Sequence, residues 1–178
     1  MSEQSFHPVS HTIQRLDEFD LSRGFDEPLA ERIVVASQQP TIRQMAPRDV
    51  AERFTDVPTA MEWYRGSRDR VFYNLGYRGT NLAGIIWFTK TPFQGADYTF
   101  AIRVYEPFVG NGLGTLFARA THDDFEQEYS GSTWADVHVD NFASQRLAHK
   151  VGYRRVDVAS PDPTRLQLLR PSSDERHL

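Results

Sequence analysis

A glycine-rich segment in the second half of the chain carries the strongest chemical signal of the sequence. Gly110, Gly112 and Gly114 follow a predicted strand, Tyr98–Tyr105, and precede a helical repeat of apolar residues. Glycines remove side chains where the backbone must turn tightly. The first N–H groups of a helix have no partner within the helix, and together with the helix dipole they attract an anion. The segment therefore predicts an anion site that suits a pyrophosphate.

The spacing of these glycines leaves a second interpretation open. Gly110-x-Gly112-x-Gly114 is not the Gly-x-Gly-x-x-Gly of dinucleotide folds, and the lysine-serine ending of a nucleoside-triphosphate loop is missing. A tight strand-to-helix turn that binds nothing would use the same glycines. The turn by itself supports both interpretations equally.

A second motif follows the next predicted strand, Trp134–Val139. Asp140 or Asn141 is placed to cap a helix, and Gly152 is placed to end it. The helix has the pattern Asn-x-x-Ser at its start, with Ser144, and Lys-x-Gly-Tyr at its end. The order is again strand, polar turn and helix.

The two motifs together resemble those of the GNAT acetyltransferase superfamily, most of all the branch that includes the ribosomal-protein N-terminal acetyltransferases. That family has an (Arg/Gln)-x-x-Gly-x-(Gly/Ala) turn after its fourth strand. After its fifth strand it has an Asn-x-x-(Ser/Ala) helix that ends in Lys-x-Gly-(Phe/Tyr). The resemblance covers roughly residues 40–170, and one position departs from it, since Val109 stands in the place of the Arg or Gln.

The resemblance implies an α+β fold with one domain, in which a bent mixed sheet of about six to seven strands is flanked by helices. The fourth and fifth strands are expected to splay apart and to admit the pantetheine arm of acetyl-CoA, the co-substrate. The residues that the resemblance assigns to this cofactor are Ile102, Val104, Val109, Gly110, Asn111, Gly112, Leu113, Gly114, Thr115, Asn141 and Ser144.

The activity implied is N-acetyl transfer from acetyl-CoA to a primary amine, in a small molecule or at a protein N-terminus, by direct transfer in a ternary complex. Many relatives use a tyrosine as general acid and a glutamate as general base, but the matching positions here are Ala148 and Tyr98. The missing tyrosine leaves an alternative, a catalytically weak acyl-CoA-binding or regulatory module.

Three other residues are candidates for proton transfer. His138 lies on the predicted fifth strand, where an imidazole could accept the amine proton. Glu106 and Tyr105 lie at the end of the predicted fourth strand. Each has a plainer explanation that stays open: a partly buried strand residue for the histidine, a solvated carboxylate for the glutamate and a packing residue for the tyrosine.

The rest of the chain gives weaker signals. The sequence predicts that residues 1–30 form a polar arm with at most a short helix. It predicts the acyltransferase domain over residues 31–170 and a flexible tail over residues 171–178. The other predicted elements are strands Arg32–Ala36 and Thr41–Met45, helices Pro47–Phe54 and Thr59–Arg65, hairpin strands Arg70–Tyr77 and Leu82–Phe88, a helix from Gly112 to about Tyr129, and strands Tyr153–Val158 and Arg165–Leu169.

Composition narrows the function classes. The net charge of −4 gives no basic footprint for nucleic acid, and the absence of cysteine excludes disulfides and thiolate metal sites. We expect no metal site, because the histidines lack ligand spacing. No apolar run approaches the ~20 residues of a membrane span, and no secretory signal is visible, so a cytoplasmic protein is expected. Such domains are often dimers, which leaves a homodimer open.

Overall fold

The computed structural model describes residues 11–93, 95–157 and 162–172, with residues 11–14 described by their backbone only. The strands in this part of the chain are β1 (His11–Leu16), β2 (Phe19–Arg23), β3 (Arg70–Tyr77), β4 (Asn81–Phe93), β5 (Ala96–Val104), β6 (Thr133–His138), β7 (Arg154–Arg155) and β8 (Arg165–Arg170). The α-helices are α1 (Glu27–Ser37), α2 (Pro40–Met45), α3 (Val57–Arg65), α4 (Leu113–Glu128) and α5 (Phe142–Lys150). A π-helical turn, Asp49–Arg53, lies between α2 and α3.

The strands form one open mixed sheet of eight strands in the order β1-β2-β3-β4-β5-β6-β8-β7. Strand β2 is antiparallel to β1 and to β3, β5 is parallel to β6, and β8 is antiparallel to β6 and to β7. The predicted α+β fold with a mixed sheet flanked by helices is confirmed. The sheet has more strands than predicted, because the N-terminal region contributes two.

The chain forms two compact units, of which the first comprises Met1–Ile85 and Val104–Pro107, and the second comprises Ile86–Arg103 and Phe108–Leu178. In the core of the first unit, the ring of Phe25 stacks on Tyr64 with 4.6 Å between the ring centroids. In the core of the second unit, Phe88 of β4 stacks on Phe125 of α4 at 4.0 Å. Each unit therefore has aromatic packing of its own.

Two predicted strands, Arg32–Ala36 and Thr41–Met45, are wrong, since the first lies within α1 and the second within α2. The Asp26 side chain accepts a hydrogen bond from the Leu29 N–H and so caps α1. Within the helix Ile33 is fully buried, whereas Val35 is 74% exposed. Residues two apart share a face in a strand but not in a helix, so burial follows the helical period.

The N-terminal region is also more ordered than the sequence predicts. Where a polar arm with at most a short helix is predicted, residues 11–23 form the hairpin β1–β2. Strand β2 pairs with β3 along its whole length, from Phe19 opposite Tyr77 to Arg23 opposite Tyr73. Leu21 is fully buried at the centre of β2. Residues 1–10 lie outside the described part of the chain.

The second half of the chain agrees more closely with its predicted elements. The predicted helices correspond to α4 and α5, and the strands before them to β5 and β6. The strand predicted over Tyr153–Val158 is shorter, since only Arg154–Arg155 pairs with β8, and Val158 lies outside the described residues. The predicted tail also lies outside them, except for Pro171 and Ser172.

Candidate active site

The strands β5 and β6 pair only where they begin. Tyr98 lies opposite Thr133, and Thr99 lies opposite Trp134. Both strands are fully described, and they form no pair beyond these two, although β5 continues to Val104. The predicted splay between the family's fourth and fifth strands is therefore present, and here these are the fifth and sixth strands in chain order.

Backbone N–H and C=O groups alternate in direction along β5, and this alternation shows which of them face the gap between the splayed strands β5 and β6. The Tyr98 N–H donates to the Ser132 carbonyl, just before β6, at 3.2 Å. Backbone groups two residues apart along a strand point to the same side, so Phe100, Ile102 and Val104 turn their N–H and C=O groups the same way. The Tyr105 N–H points to the other side, since it donates to the carbonyl of Ala83 on β4 at 2.9 Å.

The turn between β5 and α4 depends on two glycines in the left-handed region. Gly110 has a φ of 94°, and Gly112, the N-cap of α4, has a φ of 85°. A Cβ added to either glycine would meet no heavy atom within 4 Å. The glycines are therefore required by the backbone conformation, and the space beside them is open.

The first amides of α4 are free to bind an anion. The N–H groups of Thr115 and Leu116 both donate to the Gly112 carbonyl, at 3.0 and 3.2 Å. The N–H groups of Leu113 and Gly114 precede this first helical bond, and no hydrogen bond between described residues uses them. Gly112 has no side chain with which to cap them. The helix N-terminus therefore presents two unpaired donors at the positive end of its dipole.

Val109 stands where the family has Arg or Gln, and its residue surface is 49% exposed. Asn111 is exposed as well. An exposed valine adds no charge or donor beyond its backbone. An anion at this turn would therefore be held by the backbone of residues 110–115 and by the dipole of α4.

Of the two predicted caps, Asn141 is the one that caps α5, and its Oδ1 accepts a hydrogen bond from the Ser144 N–H at 3.0 Å. The side chain is half-buried, and no hydrogen bond between described residues uses its Nδ2. Gln145 fixes the start of this helix to the end of β6, since its Nε2 donates to the carbonyls of His138 and Val139 at 3.2 and 2.7 Å. Gln145 was missed by the sequence analysis, because its role depends on the approach of two chain segments.

His138, at the end of β6, has a fixed tautomer when it is neutral. Its Nδ1 accepts a hydrogen bond from the Asp140 N–H at 3.1 Å, so the proton of the neutral ring is on Nε2. The side chain is 36% exposed, and the Asp140 carboxylate lies 3.8 Å from Nδ1. In this arrangement the ring offers a donor at Nε2, while its acceptor is already occupied.

Glu106 is an exposed carboxylate that α2 and the residue before it hold in place. Its Oε1 accepts a hydrogen bond from the Thr41 hydroxyl at 2.7 Å. Its backbone N–H donates to Oε1 of Gln39 at 3.0 Å, and its carbonyl accepts from Gln39 Nε2 at 3.3 Å. These contacts join segments far apart in sequence, so neither Gln39 nor Thr41 is found by pattern reasoning.

Tyr105 is only 1% exposed, which fits its plainer explanation as a packing residue. The positions where relatives have their acid and base are also occupied by packing residues. Ala148 is 3% exposed. Tyr98 packs its ring edge-to-face against Phe125, with 5.1 Å between the centroids. Of the three candidates for proton transfer, Tyr105 and Glu106 belong to the first unit and His138 to the second.

Within the described residues, no group of three or more His, Cys, Asp or Glu side chains is arranged to hold a metal ion. In the same part of the chain, no helix has both the length and the apolar character needed to cross a membrane.

The chain is similar to known proteins in its family motif and in its fold. The family described as "Acetyltransferase (GNAT) domain" matches residues 22–154. No curated protein matches the chain. The ribosomal-protein-S5-alanine acetyltransferase from Vibrio fischeri is structurally similar, with a TM-score of 0.65 at 10% identity, over 90% of this chain and 97% of that one.

Two other solved structures have the same fold. AAC(6')-Ib in complex with ribostamycin and coenzyme A gives a TM-score of 0.69 at 16% identity, over 87% of this chain and 94% of that one. A chimera of the spermidine N-acetyltransferase SpeG from Vibrio cholerae and hSSAT gives 0.68 at 13% identity, over 91% of this chain and 100% of that one.

Proposed function

Since this chain belongs to the acetyltransferase (GNAT) family, we propose that it is an acetyl-CoA-dependent N-acetyltransferase acting on a primary amine. The acetyl group passes directly from acetyl-CoA to the amine in a ternary complex. The acceptor is a small amine or a protein N-terminus. The observation that carries the proposal is the unpaired edge of β5, which leads directly into a glycine turn whose helix begins with unpaired amides.

The residues present fit the cofactor. The backbone amides of Gly110–Thr115 would hold the pyrophosphate, because they combine open space, unpaired donors and the dipole of α4. The backbones of Ile102 and Val104 would pair with the pantetheine arm as a neighbouring strand does. Asn141 would donate to the same arm from Nδ2, since its Oδ1 already caps α5, with Ser144 beside it.

The chemistry requires that the attacking amine lose a proton and that the leaving thiolate gain one. Bound acetyl-CoA supplies the activated thioester, and a backbone N–H near Val104 would polarise its carbonyl. We assign the acceptance of the amine proton to Glu106, whose exposed carboxylate is oriented by Thr41. We assign the donation of a proton to the leaving thiolate to the imidazolium form of His138, because a neutral ring that gave up its Nε2 proton would become an imidazolate. We assign no proton transfer to Tyr105, because its side chain is buried.

One observation favours the alternative function, a catalytically weak acyl-CoA-binding or regulatory module. Ala148 occupies the place of the tyrosine acid of many relatives, and it is buried, so it brings no proton donor to a site. Both functions require the cofactor to bind, and they differ in turnover.

The test has two stages. In the first, thermal unfolding is followed with acetyl-CoA, CoA, ATP and NAD, and we expect stabilisation by the two CoA compounds only. Stabilisation by ATP or NAD without CoA would contradict the proposal. In the second, release of free thiol from acetyl-CoA is measured with spermidine, ribostamycin and an alanine-initiated peptide, which represent the acceptors named for the structural relatives. Tight CoA binding without turnover on any amine would favour the alternative.

A further inference from the structure

A hydrogen bond within β5 occupies one of the groups that face the gap. The Arg103 side chain donates from Nη1 to the carbonyl oxygen of Ile102 at 2.8 Å. By the alternation from Tyr98, this carbonyl points to the side of β5 that β6 leaves unpaired. The Arg103 guanidinium therefore already donates a hydrogen bond to a backbone carbonyl on the unpaired edge of β5.

The Arg103 side chain is anchored in this position. Its guanidinium carbon lies 5.0 Å from the centroid of the Trp87 ring on β4. Trp87 is 5% exposed, so the ring is a fixed surface in the second unit. A guanidinium over an indole face is attracted by the ring quadrupole. Hydrogen bonds from a charged donor are stronger than those between neutral groups. The attraction to the Trp87 ring and the charge on the donor therefore both stabilise the hydrogen bond from Arg103 to Ile102.

We propose that Arg103 is a positioning residue that competes with the pantetheine arm for the Ile102 carbonyl. This inference rests on the proposed function, because it requires the arm to pair with β5. An amide N–H of the arm reaches this oxygen only by sharing it with the guanidinium or by displacing it. Arg103 therefore keeps the edge of β5 satisfied without cofactor, and it weakens the binding of acetyl-CoA and of CoA alike, because both have the same pantetheine arm.

The competition predicts that removing the guanidinium makes CoA bind more tightly. In Arg103→Met the apolar part of the side chain still covers Trp87, while the donor is lost. We expect the Kd of CoA, measured by titration calorimetry, to fall by about three- to tenfold, which corresponds to one hydrogen bond. The Kd of 3′-phosphoadenosine 5′-diphosphate, which lacks the pantetheine arm, should stay unchanged. A purely structural role of Arg103 would not separate the two ligands.

Arg154→Met is the matched control. Arg154 on β7 makes the same kind of bond to the preceding carbonyl, from Nη1 to Tyr153 O at 2.9 Å, but not on β5. Its substitution should leave the Kd of both ligands unchanged. Arg103→Lys is a second variant for the case that the methionine variant unfolds. It keeps the charge, and it should also tighten CoA binding, because lysine lacks the planar donor fork of arginine.

Three results would overturn the inference while leaving the proposed function intact. These are CoA binding that is unchanged or weaker in the Arg103 variants, equal tightening of both ligands, and tightening in the Arg154 control. Failure of the unsubstituted protein to bind CoA is a different result, because it refutes the proposed function itself.

Discussion

Tyr153 and His122 form a buried hydrogen bond of 3.0 Å between the phenol oxygen and Nε2, which joins the chain after α5 to the middle of α4. The His122 Nδ1 lies 2.7 Å from the Ala118 carbonyl and must donate to it, so Nε2 accepts the proton of the phenol. The Thr133 hydroxyl lies 2.8 Å from the same phenol and donates to it. The three side chains thus satisfy one another in neutral form.

Replacement of Tyr153 by phenylalanine should destabilise the protein. It leaves His122 Nε2 and the Thr133 hydroxyl buried without the phenol, and an unsatisfied buried polar group costs about 1–3 kcal/mol. Chemical denaturation should show this loss in the free energy of unfolding. Tyr77→Phe is the control, because the Tyr77 hydroxyl binds the exposed Glu18, and its loss should cost about 0.5 kcal/mol or less. Equal losses in the two variants would contradict the assignment.

The same burial predicts a loss of stability at alkaline pH. Burial raises the pKa of Tyr153 far above its ordinary value of 10.0. The folded state therefore holds this proton more tightly than the unfolded state. Its contribution is complete below the unfolded pKa and declines as the pH rises above about 10, where the unfolded chain ionises. Denaturation between pH 8 and about 11 should show a steeper decline for the unsubstituted protein than for Tyr153→Phe. Parallel pH profiles would refute this.

Alanine at Gly112 should weaken CoA binding beyond its effect on stability. Gly112 has a φ of 85°, where a non-glycine residue costs about 1–2 kcal/mol, and its Cβ would enter the space beside the unpaired amides. Gly79→Ala is a matched control, since Gly79 has a φ of 72° and equally open surroundings, but lies in the turn between β3 and β4. Thermal unfolding should show similar losses for both variants. Calorimetry should show weaker CoA binding for Gly112→Ala alone, and equal CoA affinities would count against the anion site.

Substitutions at Asn141 should separate its two roles. Serine is as good an N-cap as asparagine, so Asn141→Ser should keep the stability of α5 while it loses the Nδ2 donor. Alanine removes both and should also cost about 1 kcal/mol of unfolding free energy. We expect calorimetry to give a comparably weakened CoA affinity, by about tenfold, for both variants. An unchanged affinity in Asn141→Ser would show that the side chain acts only as a cap.

The second half of the fold was predictable because its signals are local. Gly112, Asn141 and Gly152 mark helix ends by backbone requirements that hold in any context, and the structure has helix boundaries at all three. The first half has local markers too, since Asp26 and Asp56 cap α1 and α3, but they leave the type of the apolar runs between them undecided. The β-branched run around Ile33 indicates a strand by composition, but the cap at Asp26 and burial on one side make it a helix. A short apolar run does not distinguish the two-residue period of a strand from the 3.6-residue period of a helix.

The family, the α+β class and the two segments proposed to hold CoA follow from sequence patterns, because turn and cap residues act on their own neighbourhood. Three features depend on the folded arrangement: β2 pairs with β3, Gln39 and Thr41 bind Glu106, and Arg103 donates to the Ile102 carbonyl between the splayed strands. The first two join residues remote in the chain. The contact between Arg103 and Ile102 joins neighbours, but its proposed role depends on which edge of β5 stays unpaired. Strand pairing is a long-range property, so no local pattern predicts that edge.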